Sequence, residues 1–164
     1  MQLLVIRHGT AEEAGAGGDD ASRALTKAGK KEMKEVAAGL ETLVESVDVI
    51  GASPLLRAQQ TAEIVARAYG DLSVHAVDAL VPGSDPTALA DWLGQHSSAK
   101  IVAIVGHEPL LGLLVTWFMT GAGNSRVALS KGGVALLEFS SRASPGTGIL
   151  QWLLTRSALR RLGR

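Results

Sequence analysis

Side chains that can carry charge or attack an electrophile follow three separate apolar stretches of this chain. The stretch QLLVI (2–6) leads directly into Arg7, His8 and Gly9. A second stretch, VDVIGA (47–52), precedes the segment SPLLR (53–57), and a third, KIVAIV (100–105), precedes GHEP (106–109). Taken singly, each cation or imidazole is explained by a solvated surface position or by a structural hydrogen bond. Their occurrence after three similar stretches indicates a shared site.

Two arginines and two histidines suit the binding and transfer of a phosphoryl group. Arg7 and Arg57 offer planar, permanently charged donors that match phosphate oxygens in pairs. His8 and His107 add two imidazoles that can form hydrogen bonds with the same group. The combination predicts a site that binds a phosphoryl group.

The backbone at the same three points fits this chemistry. Helices that begin near Ser53 and Glu108 would direct their free N–H groups at one anion. Gly9 and Gly106 would allow the backbone to approach it without an intervening Cβ atom. Ser53 has a simpler role as a helix cap, with contact to phosphate as a second role.

A metal centre is the main rival explanation for paired histidines. Arginines next to the histidines would repel a divalent cation, and no carboxylate cluster accompanies them. The chain contains no cysteine, which excludes thiolate zinc sites, disulfides and thiol nucleophiles. We therefore expect neither a metal nor a cofactor.

The stretches that precede the polar segments are typical of strands buried in a parallel sheet, because they are short, β-branched and almost continuously apolar. SVHAV (73–77) is a weaker fourth candidate. VALLEF (134–139) and ILQWLL (149–154), separated by SSRASPGTG, predict an antiparallel hairpin at the sheet edge. Ligands bind beyond the carboxyl ends of the strands in such sheets, where the three polar segments fall.

Capping signals predict four helices, one after each of the four strands that precede the hairpin. The predicted helices start at Thr26 and run to about Leu43, at Ser53-Pro54 to about Tyr69, at Asp85-Pro86 to about Gln95, and at Glu108-Pro109 to about Met119. AGAGGDD (14–20) predicts a flexible loop. The pattern predicts a three-layer α/β sandwich and a single domain over residues 1–164. Residues 156–164 are predicted to be a solvated basic tail, with docking of an acidic phosphoprotein as the alternative.

Charge and hydropathy limit the classes of partner that this chain is expected to bind. Acidic and basic residues number 16 each, so no overall field favours a nucleic acid or a membrane surface. No stretch reaches the roughly 18 apolar residues of a membrane span. The first apolar run is too short for a signal peptide and precedes its charges. These features predict a cytoplasmic protein; the oligomeric state stays open.

The ordered motifs resemble the histidine phosphatase superfamily, which has the phosphoglycerate mutase-like fold. They are Arg-His-Gly (7–9), Ser-Pro-x-x-Arg-x-x-x-Thr (53–61) and Gly-His (106–107). The R-x-L-T-x-x-G stretch (23–29) and VGHEPLLG (105–112) are similar, more narrowly, to SixA-type phosphohistidine phosphatases. The resemblance spans roughly residues 1–155.

This resemblance implies a role for each matching residue. His8 would be the nucleophile that becomes phosphorylated, and Arg7, Arg57 and His107 would bind the phosphoryl oxygens. Cationic neighbours disfavour a protonated histidine, so His8 would stay neutral and nucleophilic near pH 7. Water would then hydrolyse the phosphohistidine intermediate.

The chain differs from many members of the superfamily in the acidic residues that could act as a general acid. Phosphomonoesterases of this family use a carboxylate general acid, commonly after the third strand, where Asp78 and Asp85 are the only candidates here. Asp85 is more simply a helix cap. Thr10 stands where relatives often carry an acid. A phosphoramidate substrate needs less help in protonating its leaving group, so these departures favour phosphohistidine.

Two further residues have open roles. Glu108 is explained by the positive end of its helix, and alternatively by orienting a residue or water in the pocket. Arg23 lies either at the pocket rim, as the resemblance hints, or on the surface as a solvated cation.

The leading hypothesis is a metal-independent phosphatase acting on a phosphorylated protein of the histidine phosphorelay type. A chain this short has little room for insertions that cap a pocket around a small metabolite. The alternatives are a general phosphatase of small phosphorylated molecules, less readily a mutase, and a non-catalytic module that binds phosphorylated partners. An intact His8 speaks against the last, because a binder needs no nucleophile.

Overall fold

The computed structural model describes residues 1–164 and contains a six-stranded sheet with helices on both faces. The strands and helices are β1 (Gln2–Arg7), α1 (Lys27–Glu41), β2 (Val49–Ala52), α2 (Leu56–Ala68), β3 (Val74–Ala76), α3 (Pro86–Gln95), β4 (Ile101–Gly106), α4 (Leu110–Thr120), β5 (Val134–Glu138), β6 (Ile149–Leu154) and α5 (Arg156–Leu162). Short 3-10 turns cover Asp20–Ser22 and Asp78–Leu80. None of the helices is long and apolar enough to cross a lipid bilayer.

The sheet is mostly parallel, with the strand order β3-β2-β4-β1-β5-β6. β1 and β2 both pair with β4 in parallel, and β3 pairs with β2 in parallel. β5 runs antiparallel to β1, and β6 runs antiparallel to β5 at the edge. The predicted α/β sandwich with an antiparallel edge hairpin is therefore confirmed.

The two faces of the sheet bury separate apolar layers. Leu3 and Val5 of β1 pack with α3 and α4 on one face, while Leu4 and Ile6 pack with α1, α2 and α5 on the other. Successive side chains of a strand point to opposite faces, and both faces here are covered. This double coverage explains the nearly continuous apolarity of the central strands.

Two of the predicted helices, α2 and α4, begin later than their sequence signals indicate, and α4 begins at Leu110. α2 begins at Leu56, and its cap residue Leu55 makes no side-chain capping bond, so the prediction of a Ser53 cap with Pro54 in the first turn is wrong. The Ser53 hydroxyl is instead hydrogen-bonded to His107 and accepts a bond from the Leu55 N–H. By contrast, Thr26 and Asp85 cap α1 and α3 as predicted.

The C-terminal segment is an integral helix, and its prediction as a solvated tail is wrong. Thr155 caps α5, and Leu159 is fully buried against α1 and its neighbours. Arg160 donates from Nε to Glu35, and Arg156 pairs with Glu32. Arg156 and Arg160 therefore face acids of α1, a pairing that the sequence of the tail alone does not reveal.

Candidate active site

The register of the sheet brings the three polar segments to one edge. Arg7 lies beside Gly106, and Ala52 lies beside Val105. The backbone continues this pairing past the strand ends, because the His8 N–H donates to the Gly106 carbonyl and the Ser53 N–H donates to the Val105 carbonyl. His8, Ser53 and His107 are therefore neighbours at the carboxyl edge of the sheet.

The His8 ring is held in a defined tautomer. Its Nδ1 lies 2.7 Å from the Gly9 carbonyl oxygen, which can only accept a hydrogen bond. Nδ1 therefore carries the proton, and Nε2 keeps its lone pair. The Gly9 N–H donates to the Thr61 hydroxyl, which in turn donates to the Arg57 carbonyl. This chain of bonds ties the β1 exit to helix α2.

His107 packs against His8. The two ring centroids are 5.0 Å apart, and the rings are tilted by 55°. His107 is 3 % exposed and His8 7 % exposed. The His107 Nε2 lies 2.8 Å from the Ser53 hydroxyl, which fixes the ring plane. Burial and these two bonds leave each imidazole with one ring nitrogen free.

The two arginines are held from different directions. Arg7 donates from Nη1 to the Leu129 carbonyl at 2.7 Å, in the loop that follows α4. Arg57, which is 5 % exposed, donates from both terminal nitrogens to Asp20, at 2.8 Å to its carbonyl and 3.1 Å to its carboxylate. Both guanidiniums are thus fixed before any ligand arrives.

Three buried side-chain polar atoms have no hydrogen-bond partner in the structure. They are Nε of Arg7, Nε of Arg57 and Nδ1 of His107. An unpaired buried polar group is costly, and such groups are rare in folded proteins. All three belong to the predicted site, and they make up the complete set for the chain.

Burial and charge lower the pKa of both imidazoles. The pKa of His8 falls to about 4, chiefly because burial disfavours the charged ring, with smaller contributions from Arg57 and Arg7. The pKa of His107 falls to about 3, again chiefly through burial and then through His8 and Arg57. Both rings are therefore neutral at pH 7. Sequence reasoning named the guanidiniums as the cause, whereas desolvation is the larger one.

The glycines of the predicted site lie against neighbouring helices. A Cβ atom on Gly9 would lie 2.6 Å from Cγ of Met33, and one on Gly106 would lie 3.1 Å from a methyl group of Leu111. Their missing side chains make room for helices α1 and α4. Both backbone polar groups of Gly9 are occupied by Thr61 and His8, so this residue orients the His8 ring.

Glu108 contacts backbone groups. Its carboxylate accepts from the Leu129 N–H at 2.7 Å and from the Gly112 N–H at 3.2 Å. A Cβ on Gly112 would collide with the Val127 carbonyl, so the glycine allows this loop to lie against α4. Since the Leu129 carbonyl accepts from Arg7, Glu108 supports Arg7 through the loop.

Asp20 is the site contact that sequence reasoning missed. Its carboxylate bonds both Arg57 and Arg23, and it lies in the loop predicted as flexible from AGAGGDD. These bonds lower the pKa of the Asp20 carboxyl, the Arg23 bond most. Arg23 thus reaches Asp20 and does not reach the histidines directly. An acid next to a glycine run gives no signal of this role.

The remaining acids after β3 lie apart from these contacts. The Asp85 carboxylate accepts from the Thr87 N–H and hydroxyl, as its capping role predicts. Asp78 is exposed at the start of a 3-10 turn. No group of three or more histidine or acidic side chains is arranged to hold a metal ion.

Comparison with known proteins gives a consistent result. Residues 3–81 match the family model of the histidine phosphatase superfamily (branch 1). The chain is 35 % identical, over 94 % of its length and 96 % of the relative's, to an uncharacterised protein of Picosynechococcus sp.. It is 27 % identical to the phosphohistidine phosphatase SixA of Escherichia coli, with 94 % of each chain covered.

A solved structure supports the same assignment. The structure of the protein histidine phosphatase SixA complexed with tungstate superposes with a TM-score of 0.85 at 26 % identity, covering 97 % of this chain and 99 % of that one. The likeness extends through both layers of helices and the edge hairpin. The chain belongs to the histidine phosphatase superfamily and is SixA-like.

Proposed function

We propose that this protein is a phosphatase that removes the phosphoryl group from phosphohistidine on a partner protein, through a covalent intermediate on His8. The observation that carries the proposal is the neutral His8 ring, with its proton fixed on Nδ1 by the Gly9 carbonyl, beside two guanidiniums whose buried Nε atoms are unpaired. That arrangement combines a nucleophile with donors for a tetrahedral oxyanion.

The first half-reaction forms a bond between His8 Nε2 and phosphorus. The Nε2 lone pair attacks in line, and the bond between phosphorus and the substrate nitrogen breaks. The departing imidazole leaves as a neutral group once its other ring nitrogen is protonated. Arg7, Arg57 and His107 donate to the equatorial oxygens as charge spreads over them.

The second half-reaction returns the enzyme to its starting state. A water molecule attacks phosphorus, the bond to His8 Nε2 breaks with its electron pair returning to Nε2, and phosphate leaves with both protons of the water, one of which then passes to solvent. The proton of His8 stays on Nδ1, hydrogen-bonded to the Gly9 carbonyl, throughout, so Nε2 is the only nitrogen that changes its bonding. For His107 to donate from Nδ1, its Nε2 must accept from the Ser53 hydroxyl, which is 2.8 Å away.

The occupied carboxylates favour a phosphohistidine substrate over a phosphate monoester. An alkoxide leaving group needs a general acid. Glu108 is bonded to two backbone N–H groups, Asp85 caps a helix, and Asp20 is paired with two arginines. An imidazole leaving group is protonated more easily and does not require these acids.

We also propose that the reaction needs no metal ion, and that one domain carries the whole site. Two fixed guanidiniums supply the positive charge that a metal would otherwise provide at the phosphoryl oxygens. Activity should therefore survive dialysis against EDTA unchanged. A loss that added Mg²⁺ or Zn²⁺ restores would contradict this part of the proposal.

The decisive experiment compares substrates on the same enzyme. A phosphohistidine-containing protein domain and a panel of sugar phosphates are supplied at matched concentration, and phosphate release is measured. The phosphohistidine protein should be hydrolysed faster. Faster release from the sugar phosphates would instead establish a small-molecule phosphatase.

The nucleophile is tested by trapping. Rapid acid-free quenching after mixing with labelled phosphodonor should leave label on His8, in an acid-labile form typical of phosphohistidine. His8→Ala should abolish labelling and turnover, whereas His75→Ala, which removes an exposed histidine, should leave both unchanged. Full turnover by the His8 variant would refute the covalent mechanism, and binding without any turnover by the native protein would indicate a non-catalytic module.

A further inference from the structure

Asp20 occupies one edge of the Arg57 guanidinium. Nη1 of Arg57 donates to the Asp20 carbonyl and Nη2 donates to the Asp20 carboxylate, at 2.8 and 3.1 Å. A guanidinium has two edges that can bind an anion through paired N–H groups, one formed by Nη1 and Nη2 and the other by Nε and Nη2. The Nε of Arg57 is buried and has no partner. The second edge is therefore the one left for a ligand.

Asp20 is itself fixed from the opposite side. Its second carboxylate oxygen accepts from Nη1 of Arg23 at 2.9 Å, and Nε of Arg23 donates to the Glu12 carbonyl at 2.7 Å. These bonds close the base of the loop that contains Gly15, Gly17 and Gly18. The tip of the loop is exposed, yet its C-terminal end is anchored at Asp20, where a 3-10 turn begins. Arg23 thus holds Asp20, and Asp20 holds Arg57.

We propose that Asp20 is a positioning residue that turns the Nε edge of Arg57 toward the phosphoryl group, with Arg23 as its support. The inference rests on the proposed function. It assigns to the exposed loop a role in anion binding that neither its composition nor its exposure indicates. Asp20 does not contact substrate; it acts through Arg57.

The alternative hypothesis is that Asp20 only competes with the anion for Arg57. Removing its negative charge would then tighten anion binding, whichever residue replaced it. Two substitutions separate these readings. Asp20→Asn and Asp20→Ala remove the same charge, but only asparagine keeps a side-chain oxygen that can accept from Nη2 of Arg57.

Asp19 provides the matched control. It is the neighbouring acid in the same loop, and its carboxylate accepts only from the Ala21 N–H, as the cap of the 3-10 turn. Asp19→Asn and Asp19→Ala repeat the same two changes without touching Arg57. They show how a loss of charge or of local loop structure, by itself, changes tungstate affinity and turnover.

The experiment measures tungstate binding by calorimetry and turnover of the phosphohistidine protein for all four variants. We expect Asp20→Ala to bind tungstate about tenfold more weakly than Asp20→Asn, and to show a kcat lowered by a similar factor. The two Asp19 variants should differ by less than about twofold, and thermal unfolding should show that all four are folded.

Two results would overturn the inference. Equal tungstate affinities for Asp20→Ala and Asp20→Asn would show that charge alone matters, and an equal loss in Asp19→Ala would show that loop structure alone matters. Because tungstate binding needs no turnover, it tests Asp20 even if the native enzyme fails to hydrolyse phosphohistidine. That failure would refute only the proposed function.

Discussion

Acidification should destabilise this protein through its two buried histidines. The pKa of His8 is about 4 and that of His107 about 3 in the folded state, both lowered chiefly by burial. In the unfolded chain both would titrate near 6.5. Between these values the unfolded state binds protons that the folded state excludes. Stability is therefore fully present above pH 6.5 and declines as the pH falls toward 4.

The size of the stability loss follows from the lowered pKa values of the two histidines. Treated independently, each histidine would cost about 2 kcal/mol between pH 7 and pH 5, because nearly one proton per ring is taken up only on unfolding. Both rings are buried, so the two contributions add to an expected loss of about 3–4 kcal/mol for the pair. That is a large fraction of the 5–15 kcal/mol stability of a typical domain.

The assay is urea unfolding at a series of pH values between 7 and 5. His8→Asn should remove about half of the pH dependence, since the amide can still donate to the Gly9 carbonyl while one titrating ring is lost. His75→Asn, at an exposed position, is the control and should follow the native curve. A native stability that stays constant over this range, or a His8→Asn protein with the full native slope, would refute the reasoning.

Three other changes test the supports of the site and the C-terminal helix. Ser53→Ala removes the bond to His107 Nε2 and should lower kcat about tenfold with the fold retained, as measured by turnover and circular dichroism. Glu108→Ala leaves the buried Leu129 N–H without its acceptor and should cost about 1–3 kcal/mol in urea unfolding, whereas Glu108→Gln should cost less; equal losses would contradict the assigned bond. Leu159→Ala, at a fully buried position, should cost about 2–4 kcal/mol, and a change under about 0.5 kcal/mol would mean that α5 is dispensable.

Most of the fold could be read from local patterns. The central strands are short apolar runs, and the hairpin of β5 and β6 is marked by the turn-rich segment between them. The caps at Thr26 and Asp85 are formed by side chains that bond N–H groups within three residues, so local sequence suffices to find them. α5 escaped prediction because the groups that hold it, the apolar layer around Leu159 and the acids Glu32 and Glu35, lie on other elements, the acids more than 120 residues away.

The candidate site was predictable in its members and less so in its contacts. Arg7, His8, Arg57 and His107 each follow a predicted strand, and strands that run parallel end at one edge of the sheet. The prediction of Ser53 as a helix cap is wrong because a serine before proline gives the same local signal whether or not a helix starts there. Its bond to His107 joins residues 54 positions apart, which no local pattern reveals.

Local sequence is enough to show which groups stand at the ends of the strands and that they suit a phosphoryl group, because residue type and strand polarity are local properties. Tertiary structure alone decided how those groups are held. Arg57 is oriented by Asp20, 37 residues away, and Arg7 by Leu129, 122 residues away. The low pKa of His8 depends on the same packing, since desolvation comes from every element that surrounds the ring. The Arg-His-Gly tripeptide indicates phosphoryl chemistry, and the surrounding fold sets the protonation state and orientation of its side chains.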